Sequence, residues 1–451
     1  MQYAKRRSLA LAGFGLLTAL ALSGCGSGDR SGTPAAKSTP TACGTYDGEG
    51  CAPKSRRVDL AVPSFSSSTE ITNPLFPISR LRSTVLLGHV DDKPFRTETT
   101  LLPGTRTVEW NGKRIQALTF QYMAYLDGRI TEVAIDFYAQ ADDGSVWYLG
   151  EDVYDYENGT VAITEGTWQA GRDGPGAMIM PAEPKVGDVY RPENVEGIVF
   201  EEVTVKSVDR TVQGPRGPVR GAILTDELHA DGSREGKLFA PGYGEFRTAG
   251  GGDLEALALA VPTDALPGSL PPELRFLSTS SVGVLELSRK GDWEPAAAVM
   301  KRMSSAWGTL NERQQPPMIA ERLSENLTAL TRAVQGRKPG RVAQKAIDVA
   351  QSVLDLELRH RPAAEIDVER FHLWTQQLRI DSAAEDLAGV TGTVATLEWI
   401  RDRVAHTLSP AGRQEIDSRL RALRVASDQK NLTTAADHAA RLGARLRTLS
   451  G

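Results

Sequence analysis

Cysteine is scarce in this chain: three in 451 residues, at positions 25, 43 and 51. So few exclude a disulfide-dense scaffold, and the gap between Cys43 and Cys51 excludes a CxxC redox pair or a zinc knuckle. Histidine is rare too, with six, and the motifs that would give histidine or serine a reaction are missing. There is no Gly-x-Ser-x-Gly, no His-Glu-x-x-His and no P-loop. Ser427-Asp-Gln-Lys430 has the spacing of a Ser-x-x-Lys acylase but stands alone in a charged stretch. His89 and His229 have no Ser or Cys nucleophile context, and His406 and His438 sit among polar neighbours. Long apolar runs are absent as well. The longest, Leu9 to Leu22, has 14 residues, against ~20 for a helix that crosses a bilayer. An enzyme is therefore not the expectation, and no cofactor is implied.

What is present at the N-terminus is an address. Lys5-Arg6-Arg7, the short apolar stretch and Leu22-Ser23-Gly24-Cys25 make a secretory signal that ends on a cysteine. That order predicts a lipoprotein. Residues 1–24 are removed, the Cys25 thiol carries diacylglycerol, and palmitate-type chains hold the mature protein at the extracytoplasmic face of a membrane. Cys43 and Cys51 then fold outside the cytoplasm and are expected to form a small disulfide loop. Residues 25–65, rich in Gly, Ser, Thr, Pro and Lys, read as a flexible tether.

Further on the texture changes twice. Across 66–265 turn signals recur: Asp91-Asp92, Asn111-Gly112, Asp127-Gly128, Asp143-Gly144, Asn158-Gly159 and Asp231-Gly232. Between them apolar residues alternate. Val133, Ile135, Phe137 and Ala139 take one face, and Glu132, Asp136 and Tyr138 the other. This predicts an antiparallel meander of about nine strands with one buried face, curled as a barrel or half-barrel or folded as a sandwich. Residues 170–196, broken by prolines, read as a loop, and 266–288 as a linker. From 289 to 451 the period becomes three and four, as in Ile319, Leu323, Leu327, Leu330 and Val334. That predicts a bundle of five or six helices, with 365–408 as one long helix unless Gly389 and Gly392 break it. The fold class is thus α+β in separate domains.

Charge follows the same division. Residues 289–451 carry 25 Lys and Arg against 20 Asp and Glu, while residues 25–288 carry 24 against 37. An acidic β domain excludes nucleic acid as its partner.

Three constellations are candidates for chemistry. Glu357-Leu-Arg-His360 and Glu369-Arg-Phe-His372 each place a carboxylate and an imidazole on one helical face, as di-metal bundles do. Their place beside Pro362 fits helix-end charge compensation better. Asp136 and Tyr138, facing Trp147, Glu151 or Asp152 across the Asp143-Gly144 turn, make an acidic aromatic patch suited to a ligand, or to a paired acid and base. Met178 and Trp168, near Met180, Tyr190 and Phe200, would line the mouth of a half-barrel and suit a small apolar ligand.

Asp136-Phe-Tyr-Ala-Gln, Trp147-Tyr-Leu-Gly-Glu-Asp152, Thr164-Glu-Gly-Thr-Trp168, Met180-Pro-Ala-Glu-Pro-Lys-Val-Gly-Asp188 and Phe239-Ala-Pro-Gly-Tyr-Gly-Glu-Phe246 resemble a family of uncharacterised exported bacterial lipoproteins. The resemblance covers about residues 70–250, implies export and a β domain, and assigns no activity or site. The expectation is a membrane-anchored, non-catalytic binding or interaction module for a small molecule or a protein partner. The alternatives are a metal-binding protein using Glu357, His360, Glu369 and His372, and an envelope-polymer hydrolase using Asp136 and Glu151.

Overall fold

The computed structural model describes residues 51–449 and the paired short strands β1 (Ala42–Cys43) and β2 (Tyr46–Asp47). The signal, Cys25, the first part of the tether and the Cys43 side chain lie outside the described residues. Cys51 packs against Phe200 and Leu228.

From residue 83 the chain is an antiparallel meander. Strands β3 (Ser83–Val90), β4 (Lys93–Trp110), β5 (Lys113–Leu126), β6 (Arg129–Gln140) and β7 (Val146–Glu157) pair in order. Against β7 lie β8 (Thr160–Ile163), β9 (Trp168–Gln169) and β10 (Ala177–Met180). A second run follows, with β11 (Val189–Val195), β12 (Val199–Gly214), β13 (Gly217–His229), β14 (Arg234–Ala240), β15 (Gly244–Gly250) and β16 (Asp253–Val261). β16 pairs with β3, which joins the two runs into one sheet. The Asn111-Gly112, Asp127-Gly128 and Asn158-Gly159 turns have positive φ at both residues, the geometry that matches strand twist in tight hairpins.

The sheet has more strands than expected because 170–196 is not a plain loop. Its prolines do not interrupt a ladder: Pro181 and Pro184 fall between strands, and Pro192 sits where the β11–β12 register shifts. The sheet curls until β10 lies against β11, but no ladder joins these ends and it stays open. Along the β11 edge, Val58 N donates to Val189 O (2.9 Å) and Arg191 N donates to Asp59 (3.0 Å). Residues 71–78 enter the apolar side of the interior through Ile71, Phe76 and Ile78.

Eight helices follow among the described residues: α1 (Pro272–Lys290), α2 (Trp293–Asn311), α3 (Pro317–Gln335), α4 (Pro339–Glu357), α5 (Ala363–Ala383), α6 (Leu387–Val404), α7 (Pro410–Asp428) and α8 (Leu432–Leu449). The expected linker 266–288 is thus mostly α1. Pro272 starts it, Gly291 at φ 78° ends it, and Leu274, Leu277, Val284 and Leu285 bury its inner face. The stretch 365–408 breaks, though not at the glycines. Asp386 caps α6 by accepting from Gly389 N (2.8 Å), and both glycines lie inside that helix. Gly392 instead lets the Asn158-Gly159 hairpin tip approach. A Cβ on Gly159 would stand 2.4 Å from Ala388 O and from Gly392 N.

The bundle packs on the outer face of the shell. Val85, Leu87 and Leu259 of β3 and β16 share one core with α1–α4, and α6 lies on β4 and β6. At the centre Glu98 of β4 receives Arg403 of α6 (2.7 Å), Arg96 of its own strand (2.8 Å) and Arg370 of α5 (3.5 Å). Burial works against the Glu98 charge, yet the three guanidinium groups hold its pKa well below the carboxylate range.

Candidate functional site

Inside the shell the expected solvated acidic face is buried. Curling turns the faces of β6 and β7 that carry Glu132, Asp136 and Glu151 inward, where these residues are at most 8% exposed. Asp136 pairs with Glu151 across the strands and accepts from Tyr148 (2.6 Å). Tyr138 stacks on Tyr148, whose ring meets Trp168 edge-on. Four of the six residues expected to form a ligand patch, Asp136, Tyr138, Glu151 and Trp168, are therefore together. Trp147 and Met178 are not. They pair with each other on the opposite face of β7, where Trp147 packs on Trp110 at 5.7 Å.

Opposite this wall lies a second charged group, one that no catalytic or metal motif marks. The signal was available: Glu227-Leu-His229 and Glu235-Gly-Lys237 flank the Asp231-Gly232 turn at a spacing of two, which puts all four side chains on one face. Lys237 contacts Glu227 and, at 3.4 Å, Glu235. His229 lies 3.3 Å from Glu201 and 3.5 Å from Glu235. Burial pushes Glu227 up to about 8, with Glu201 adding repulsion. Burial pulls His229 down, but Glu201 and Glu235 outweigh it and raise it to about 9. Three carboxylates here face two cations in the interior, so these groups titrate together rather than singly.

Glu201, Glu227 and His229 have ligand atoms within 4.8 Å of one another, the geometry of a divalent-metal triad. The charges do not favour an ion. Lys237 already sits on Glu227, and His229 lies against Glu201 and Glu235, so an ion would have to displace an ammonium and a proton. The adjoining cavity measures about 100 Å³ and is lined by Phe76, Phe120, Asp136, Tyr190, Glu227 and Phe239 among others. Tyr190, which lines it, has its Oη buried without a hydrogen-bond partner among the described residues, which suits ordered water. The space is below the ~150 Å³ that admits benzene. It takes neither a lipid nor an envelope polymer, so Asp136 and Glu151 do not form an open hydrolytic cleft.

The bundle residues expected to bind metal do not gather as a ligand set. Glu357 accepts from Arg361 (2.7 Å), which also reaches Glu365 (3.3 Å) and Glu369 (3.8 Å). That guanidinium stands where an ion would. Burial, with Arg359 beside it, pushes His360 below its ordinary value. His372 and Glu369 line a small crevice between α1, α4 and α5 instead.

The larger space lies between shell and bundle. It measures about 670 Å³ and is walled by the β3–β4 and β5–β6 hairpins on one side and α3, α4 and α5 on the other. Trp374 of α5 stacks on Tyr125 of β5 with centroids 5.4 Å apart. Arg96 bonds Asp355 through both Nη atoms (2.7 Å each), and Arg129 reaches Asp381 (2.8 Å) and Asp386 (2.7 Å). Gln344 and Gln377 exchange hydrogen bonds across α4 and α5. Its volume falls in the usual range of small-molecule sites, ~300–1,000 Å³. Compared with known proteins, the chain matches no family model and no curated protein.

Proposed function

We propose that this protein is a non-catalytic binding protein, tethered through lipid on Cys25 to the extracytoplasmic face of a membrane, that holds a polar small molecule in the cleft between shell and bundle. The observation that carries the reading is the cleft's size and lining: about 670 Å³, with an aromatic wall and paired charges at a two-domain junction. The shell interior, at about 100 Å³, supports a structural role for its carboxylates rather than carriage of an apolar ligand. Most of the inner charged groups of the cleft are paired with one another, and among the described residues no nucleophile is paired with a base there, which favours binding over turnover.

Native mass spectrometry of the full-length protein from its own membranes tests this. A co-purifying small molecule is expected, and Trp374→Ala removes it while the circular dichroism spectrum is unchanged. A ligand retained by Trp374→Ala would place binding elsewhere. Cys25→Ala is expected to abolish palmitate labelling and to release the protein from the membrane fraction.

A further inference from the structure

Among the described residues, every arginine and lysine lining the cleft except one is in an ion pair. Arg96 is held by Glu98 and Asp355, Arg129 by Asp381 and Asp386, and Lys345 by Asp348 (2.7 Å). Arg322 of α3 lines the same space and makes no ion pair or hydrogen bond with another described residue. It is partly buried; burial and then the nearby Arg96 charge push its pKa down, and Asp355, Glu325 and Asp348, none of them in contact with it, offset this only in part. A guanidinium offers five donors and no acceptor. Held half out of water with no carboxylate in contact, it keeps donors open to an arriving anion.

The rim carries the opposite sign. Asp92, Asp127 and Glu325 are exposed, line the cleft and form no ion pair with another described residue. Glu325 is one turn along from Arg322 on α3 but does not reach it. A dianion such as a phosphate would meet these three carboxylates and the inner pair Asp348 and Asp355. A neutral sugar would leave Arg322 without an ion-pair partner. One negative charge inside and one positive charge at the rim answer both ends.

We infer that the cleft takes a zwitterion of amino-acid to short-peptide size. Its carboxylate docks on Arg322, where a planar fork accepts it bidentately, and its ammonium faces Asp92, Asp127 and Glu325. The Trp374–Tyr125 wall lies beside the ligand's side chains. This inference rests on the cleft being the ligand site, and adds the class of ligand.

The test is a titration of the full-length protein, followed by tryptophan emission and calorimetry, with a mixture of free Xaa-Ala dipeptides. The same mixture N-acetylated, the same mixture C-amidated, maltose, and glucose 6-phosphate are the comparisons. Free dipeptides are expected to bind, and each block to weaken binding at least tenfold. Arg322→Met weakens the free dipeptides at least tenfold and Arg322→Lys less, with melting temperature unchanged or raised because an uncompensated charge is gone. Blocked dipeptides that bind as well as free ones, or free dipeptides indifferent to Arg322→Met, overturn the zwitterion. Maltose or glucose 6-phosphate binding better than the dipeptides, with loss in Trp374→Ala, overturns it while the cleft reading stands. If no probe binds and the natural ligand survives Trp374→Ala, both fail.

Discussion

Lys237 has no exposed surface, and its ammonium is held by carboxylates on its own strand and the neighbouring one. Removing one member of such a cluster strands the others. Lys237→Met is expected to destabilise the protein by ~3–5 kcal/mol in urea unfolding, and adding Glu227→Gln to recover a large part of that loss. The cluster also sets a pH dependence. Asp136 is raised to about 7 and Glu227 to about 8, chiefly by burial. Carboxyls with raised folded values contribute stability at low pH that is lost as pH rises through those values. His229, raised to about 9, contributes below its ordinary value and loses this as pH rises through 9. Glu235 runs the other way: burial pushes it up, Lys237 and His229 overcome this and hold it at about 2, and its contribution vanishes only in strong acid. The melting temperature should therefore peak near pH 4–5 and fall steadily towards pH 9. A flat profile over that span would mean these groups ionise as they do in the unfolded chain. None of this was legible at single residues. A carboxylate at every second position of a strand looks solvated unless the sheet is known to close over it.

At the level of elements, the hairpins were the most legible part, since Asn-Gly and Asp-Gly fix a turn locally. Helix α1 was obscured because Ser278-Thr-Ser-Ser-Val-Gly283 dilutes its apolar period. Its buried Ser281 and Ser288 satisfy their hydroxyls on Leu277 O (2.8 Å) and Leu285 O (2.8 Å) instead. Gly389 and Gly392 misled in the other direction. Glycine inside a helix suggests a break, whereas here Gly392 makes room for another backbone. Gly159→Ala adds a methyl group against α6 at a left-handed φ of 81°, and should cost ~1–3 kcal/mol. Hydrogen exchange should rise at residues 157–163 and 387–392 together. Faster exchange in the hairpin alone would show that α6 does not depend on this contact.

The whole molecule is organised around contacts between residues hundreds of positions apart. Glu98 with Arg403 and Arg96 with Asp355 are examples. No periodicity announces such pairs, so the cleft they border was invisible in the sequence even though both halves that form it were foreseen. With Val85, Leu87 and Leu259 buried under α1–α4, the halves are expected to unfold in one calorimetric transition. A fragment ending near residue 265 should aggregate through that exposed face. Two separate transitions, or a soluble folded fragment, would refute the coupling. The seam of the shell has a mechanical consequence. Val58 and Asp59 are laid along the free edge of β11, so tension arriving through the N-terminal chain meets those few bonds before any ladder of the main sheet. Pulled from that end, the molecule should unzip at this margin first, at forces well below those that rupture the main sheet.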